Sequence, residues 1–226
     1  MNTRYCLVLG SKPGAPLPDI RPEHIITANG AAELAHRYKD HKSGFTAVVS
    51  SLQYKNSTVH SKIIASRPDQ IVIRGHKQPR QMEPVNHISV TYMDGQRQFR
   101  LDRSYFGIFA LRAFLLRPGL SKAKSIVRHL QGRDYIFGSS TGLWSVLYAL
   151  DRFPDLRVVV TGVGLQGGGH FYGKDEFRSE DGIKDYLVAR HLNREMRSRL
   201  LTTDENFSKR TGAALWDGEI LSQTYT

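Results

Sequence analysis

Five short, continuous apolar runs set the strongest limit on what this chain can fold into. They occupy residues 5–9, 25–28, 45–49, 71–73 and 156–161, and the last carries Val158, Val159 and Val160 in a row. Alternation of apolar and polar residues marks strands with one wet face. Continuous β-branched runs instead suit parallel strands covered on both faces. Helix-like stretches lie between the runs. Residues 31–38 follow the second and residues 143–150 precede the fifth. Residues 183–201 form the longest, with Leu187, Leu192, Met196 and Leu200 near helical spacing. Strands alternating with helices predict an α/β fold with a mostly parallel, doubly wound sheet.

A length of 226 residues suits a single domain spanning 1–226, Rossmann-like in its winding. Two segments break the rhythm. Residues 87–92 and 98–101 flank Met93-Asp94-Gly95-Gln96, and Asp-Gly between alternating runs predicts an added β-hairpin over about residues 86–102. Residues 164–182 are rich in charge and in glycine, including Gly167-Gly168-Gly169. Between a strand and a helix they read as a mobile lid, over the edge where open α/β sheets bind ligands.

The net charge is +11, which implies an anionic partner: nucleic acid, a membrane surface or an acidic substrate. One basic cluster joins Arg74, His76, Lys77 and Arg80. A second joins Arg112, Arg117, Lys122, Lys124 and Arg128, interleaved with apolar residues such as Leu111, Phe114 and Ile126. The second suits an amphipathic helix on a membrane surface, or an ordinary helix with one solvated face. Pro118-Gly119 breaks it in the middle. No run approaches the roughly 20 apolar residues of a membrane span, and the N-terminus shows no signal-peptide pattern. The lone Cys6 cannot form an internal disulfide. The expected location is the cytoplasm, with peripheral contact at the inner face of an anionic membrane as a variant.

Four stretches are candidates for chemistry. Leu7-Val8-Leu9-Gly10-Ser11-Lys12-Pro13-Gly14 runs from a strand into a glycine-bounded turn, where backbone N–H groups can approach a phosphate or ribose. A plain tight turn fits as well, and the dinucleotide and P-loop fingerprints are absent. Thr27-Ala28-Asn29-Gly30-Ala31 ends the second strand and sets the Asn29 amide at the sheet edge, although Asn-Gly can also simply turn the chain. Gly138-Ser139-Ser140-Thr141-Gly142 opens a helix and reads as an anion site or as an N-cap alone. His170 and His191 stand on either side of the lid. His191 lies on the long helix with Glu195 one turn later, and that i, i+4 spacing lets Glu195 orient His191 and raise its basicity. His191 could then serve as general base for a hydroxyl; a surface histidine is the plainer reading.

Together these stretches resemble the sialyltransferases. Residues 140–150, followed after a short gap by residues 158–163, resemble the second conserved motif of that family. There Ser-Thr-Gly or Thr-Ser-Gly opens a helix, and a strand ending in glycine follows. Gly169-His170-Phe171-Tyr172 resembles the His-aromatic-Tyr motif that comes next. Residues 7–14 and 25–30 resemble the first motif, a Gly-rich turn and then a strand ending in Asn. The resemblance covers roughly residues 5–31 and 135–200, and residues 52–133 match nothing in the family. It implies a GT-A-like variant of the fold and a metal-independent, inverting glycosyltransferase with a CMP-activated donor. It implies nucleotide contacts from Gly10, Ser11, Lys12, Asn29, Gly30, Ser139, Ser140, Thr141, Gly142 and Tyr172. It further implies phosphate contacts from His170 or Tyr172, and His191 as general base with Glu195 behind it. The spacing from His191 to Glu195 differs by one residue from the animal enzymes. The paired cysteines and membrane anchor of those enzymes are missing, which points to a bacterial form. The sugars carried by CMP include sialic acid, its bacterial relatives and Kdo, all bearing a carboxylate that a basic protein suits. The implied acceptor is an oligosaccharide or lipid-linked glycan of lipopolysaccharide or capsule, and no cofactor is expected.

Two other functions fit the fold or the charge. A Rossmann-like pyrophosphokinase needs bound Mg²⁺ and carboxylate ligands, whereas the sequence holds no Asp-x-Asp, no His-x-x-x-His and no Cys cluster. A nucleic-acid-binding module needs exposed aromatics among its cations. Phe106, Phe109 and Phe114 read instead as core, so no nucleic acid is expected.

Overall fold

The computed structural model describes residues 3–38, 44–75, 80–94, 139–165, 185–186 and 188–222. Among the described residues nine strands form one sheet: β1 (Tyr5–Leu9), β2 (His24–Ala28), β3 (Phe45–Ser50), β4 (Gln70–Gly75), β5 (Arg80–Val85), β6 (Ile88–Asp94), β7 (Arg157–Thr161), β8 (Leu200–Thr202) and β9 (Ala214–Leu215). Their spatial order is β5-β6-β4-β3-β2-β1-β7-β8-β9. Every neighbouring pair is parallel except β5 with β6. The five apolar runs are β4, β3, β2, β1 and β7, which lie side by side in the middle of the sheet.

Both faces of those strands are covered, which is why their sequences do not alternate. Cys6, Val8, Ile26, Val48 and Val72 pack beneath α3 (Thr141–Arg152). Leu7, Leu9, Ile25, Ala47, Val49 and Ile71 form the opposite core with a 3-10 helix (Asn29–Tyr38) and α2 (Ser57–Ala65). A short α1 (Ser51–Tyr54) precedes α2. Cys6 is fully buried, and burial pushes its thiol up, so it is an inert packing residue. Among the described residues no helix is long and apolar enough to cross a membrane.

Two expectations are corrected. The helix over 183–201 is not continuous. Helical residues at 185–186 and 188–190 give way to a turn at His191. Asn193 then caps a separate α4 (Arg194–Ser198), its side chain accepting from the Met196 amide at 2.8 Å. Leu200 and Leu201 enter the sheet as β8, opposite Val158 and Val159. The apolar spacing looked helical because β8 begins two residues after α4 and buries its leucines in the same cores. The hairpin is displaced too. It joins β5 to β6 through Asn86 and His87, at φ 48° and 65°, the paired positive values of a type I′ turn. β6 has β4 on its other edge, so no edge is left for the hairpin expected at Asp94-Gly95. Residues 95–101 lie outside the described residues.

One core-edge histidine gives the fold a pH dependence. His24 stacks on Phe153 at 4.4 Å between ring centres, and its Nε2 lies 2.9 Å from the Thr46 hydroxyl. Burial pushes its pKa down to about 4; Asp69 pulls it upward and Arg152 pushes it further down. In the unfolded chain the imidazole titrates near its ordinary 6.5. Between those values the unfolded state binds more protons, so stability is complete above pH 6.5 and declines as pH falls toward 4. The expected loss is roughly 3 kcal/mol over the window. Urea melts at pH 7 and pH 4.5 should show it, and His24→Gln should remove that part of the slope. Equal slopes in both proteins would exclude His24 as its source.

Candidate functional site

All the parallel strands end on one edge, and that edge gathers the loops singled out in the sequence. From β1 the sheet grows in two directions, through β2, β3 and β4 on one side and through β7, β8 and β9 on the other. The switch point between β1 and β7 is where doubly wound sheets open a ligand crevice. Here its floor is backbone against backbone. The Gly10 amide donates to Thr161 O at 2.8 Å, and the Lys12 amide to Gly162 O at 2.9 Å. Gly162 sits at φ 68°, and a Cβ there would lie 2.6 Å from the Gly10 carbonyl oxygen. A Cβ on Gly10 would in turn run into the Gly162 carbonyl. Two glycines are needed for the loops to touch.

The start of α3 reaches the same edge. A Cβ on Gly142 would meet Val163, just beyond β7, at 3.2 Å. Thr141 Oγ1 lies 3.5 Å from an Arg74 guanidinium nitrogen at the end of β4. Arg74 is in register with Ser50, whose amide donates to Asn29 Oδ1 at 3.1 Å. A line of neighbours therefore runs from Gly10 through Val163, Gly142 and Thr141 to Arg74, Ser50 and Asn29. Asn29 holds φ 52° and ties the end of β2 to the end of β3. With its oxygen engaged, the amide nitrogen is what it can offer a ligand, so it would meet an acceptor. Gly30 is buried beside it in the 3-10 helix.

Ser140 is the N-cap of α3, its hydroxyl accepting from the Leu143 amide at 3.2 Å. Its own amide donates to the buried Asp185 carboxylate at 2.7 Å. Thr141 and Gly142 follow at the positive end of the helix dipole. Ser139 is 2% exposed, and its hydroxyl has no partner among the described residues. Residues 138–142 also spell Gly-x-Ser-x-Gly, the pattern of a hydrolase nucleophile elbow. Ser140 at φ −60° and ψ 161° has the extended backbone of a cap, and its hydroxyl is spent on that cap.

Lys12, expected at the nucleotide, lines the cleft beside Gly10 and pairs there with Asp204. Its ammonium lies 2.5 Å from Asp204 Oδ2. The other Asp204 oxygen accepts from the Phe207 amide at 2.9 Å and caps α5 (Glu205–Thr211). Burial pushes the Asp204 carboxyl up, but the Lys12 bond and the backbone amide outweigh it and hold it below the usual range. Lys12 thus anchors the first loop to the end of β8. Ser11 is buried in the same loop. Beyond it a cleft of about 260 Å³ opens toward the 3-10 helix, with Gly14 and Arg37 among its walls.

The proposed acid–base residues are not assembled as expected. His191 is 7% exposed and follows the helical residues at 188–190. Glu195 lies exposed in the first turn of α4, on the far side of the Asn193 cap. The two do not share a helix, so one-turn spacing does not bring them together. His170, Tyr172 and the lid from residue 166 onward lie outside the described residues. Among the described residues no three His, Cys, Asp or Glu side chains cluster as a metal would need.

The sequence marked Gly162 only as the glycine that ends a strand and Arg74 only as part of a charge cluster, and it gave Asp185 and Asp204 no place at the site. Asp204 was readable as a cap before Glu205, but its partner Lys12 lies 192 residues away. Compared with known proteins, the chain matches no family model, no curated protein and no solved structure.

Proposed function

We propose that this protein is a metal-independent, inverting glycosyltransferase that moves a sialic acid-like or Kdo sugar from a CMP-activated donor to an oligosaccharide or lipid-linked glycan of a bacterial surface. It works in the cytoplasm or against the inner face of the membrane. What supports this is one convergence: the Gly10 turn, Asn29 and the start of α3 meet at the switch point of a parallel sheet.

The nucleotide lies across that edge. Asn29 donates to an acceptor on the base or ribose. The phosphate faces the first turn of α3 and Arg74, where the helix dipole and the guanidinium both favour an anion. An acceptor hydroxyl oxygen attacks the anomeric carbon and His191 takes its proton. The bond from that carbon to the CMP oxygen breaks, and both its electrons leave with the phosphate. Fixed donors stabilise the departing charge: the α3 terminus, Arg74, and His170 and Tyr172 of the lid. CMP is a good leaving group, so this chemistry proceeds without a divalent metal.

A thermal-shift screen with CMP, CDP, UDP, GDP and NAD tests the donor class. At about a hundredfold excess over Kd, CMP or CDP should add roughly 2.7 kcal/mol of stability, and the other nucleotides should add far less. Turnover of the CMP-sugar should survive excess EDTA. Preference for NAD or a purine nucleotide, or EDTA inactivation reversed by Mg²⁺, would remove this assignment.

A further inference from the structure

We propose that a second cleft binds an oxyanion: the carboxylate or phosphate carried by the acceptor saccharide. The cleft is about 480 Å³ and is lined by Tyr186, Asn206, Lys209 and Arg210. That volume accommodates a monosaccharide with an anionic substituent. The oxyanion site stands on the cleft alone; its assignment to the acceptor rests on the glycosyltransferase reading.

Its chemistry comes from one aromatic ring carrying two guanidinium groups. Arg190 Cζ lies 5.5 Å from the centre of the Tyr186 ring, and Arg210 Cζ lies 5.1 Å from it. Arg190 also donates to the Tyr186 hydroxyl at 3.2 Å. A guanidinium held against a ring keeps donors free at its edge and loses little freedom on meeting an oxyanion. Two cations on one ring repel each other, and among the described residues neither is paired with a carboxylate. Lys209 adds a third positive charge. Its carboxylate neighbour, Glu205, is 3.4 Å away, with both side chains about three-quarters exposed, so the pair is weak and screened. Among the described residues the positive charge of the cleft is therefore uncompensated, and a single oxyanion bridging the arginines would relieve it.

Position links the cleft to the reaction. Asp185, which accepts from the Ser140 amide at the start of α3, immediately precedes Tyr186. His191 immediately follows Arg190. A short stretch of chain, from Asp185 to His191, thus joins the donor edge, the cation cluster and the proposed base. An acceptor anchored by its anion at Tyr186 would lie next to both.

Calorimetric titration of the full chain at low salt tests the proposal, with glucose 6-phosphate, glucuronate and glucose as probes. CMP is titrated into the same preparations. Both charged sugars should bind and glucose should not. Arg190→Ala/Arg210→Ala should weaken the charged sugars at least about tenfold while leaving CMP affinity unchanged. If that double variant does not fold, Lys209→Gln/Arg210→Gln carries the same expectation. Charged-sugar affinity equal in wild type and variant would overturn the proposal, as would glucose binding as tightly as glucose 6-phosphate. Sedimentation with phosphatidylglycerol vesicles that requires the same arginines, without glucose 6-phosphate binding, would overturn it in favour of a membrane surface. Loss of CMP binding alone would remove the donor assignment and leave the oxyanion site standing.

Discussion

Gly10→Ala should lower the melting temperature by roughly 6–12 °C and weaken nucleotide binding in the same protein. The methyl group would enter the space of the Gly162 carbonyl and the Val163 amide, which are backbone and cannot rotate aside. Overpacking of this kind costs about 3 kcal/mol at its upper end. The loops after β1 and β7 would have to separate, breaking the bonds from the Gly10 and Lys12 amides and widening the floor of the crevice. Gly162→Ala should be as severe, because it adds a left-handed backbone to the same close approach. Gly14→Ala separates the two causes. Gly14 has φ 66°, but a Cβ there meets nothing within 4 Å, so only the backbone term of about 1 kcal/mol remains. Thermal melts of the three variants, each followed by CMP titration, measure both effects. If Gly10→Ala melts like Gly14→Ala, the two loops are not in contact as described.

What could be read from the sequence was local. The five central strands were visible because burial on both faces writes itself into consecutive residues such as Val158, Val159 and Val160. The start of α3 was visible because a Ser-Thr-Gly before an apolar run is cap chemistry, and Ser140 does cap it. Where the reading failed, tertiary pairing decided the outcome. Leu192, Met196 and Leu200 are all buried in one core, as their spacing suggested, but they reach it from a β-bridge, a helix and a strand. β8 and β9 span only three and two residues, too few to show a period. Asn86-His87 is a weaker turn signal than Asp94-Gly95, yet it joins two strands that pair. The candidate site divides in the same way. Gly10, Asn29 and Ser140 could be singled out by their own neighbours in sequence. The links that position them, from Lys12 to Asp204 and from Ser140 to Asp185, join residues that no local pattern relates.

His191→Ala should reduce turnover by roughly two to four orders of magnitude, the range expected when a general base is lost. CMP affinity should stay nearly unchanged, because the base meets the acceptor and not the nucleotide. Since His191 is buried, the mutant will also lose some stability, and activity must be counted per folded molecule. His191→Gln fills the same space with a group that cannot take a proton near neutral pH, so it should keep the fold and still lose turnover. The pH profile adds a second readout. If His191 is the base, wild-type kcat/KM should fall on the acid side, and that limb should be missing from the residual activity of His191→Gln. Glu195 now carries a different expectation from the one its spacing suggested. It lies exposed on α4, beyond the Asn193 cap, so Glu195→Ala should leave both turnover and the acid limb as in wild type. A strong loss in Glu195→Ala would mean that His191 and Glu195 come together during the reaction despite the break between them. Equal activity per folded molecule in wild type and His191→Gln would assign the proton to another group and leave His191 as a packing residue behind the Tyr186 cleft.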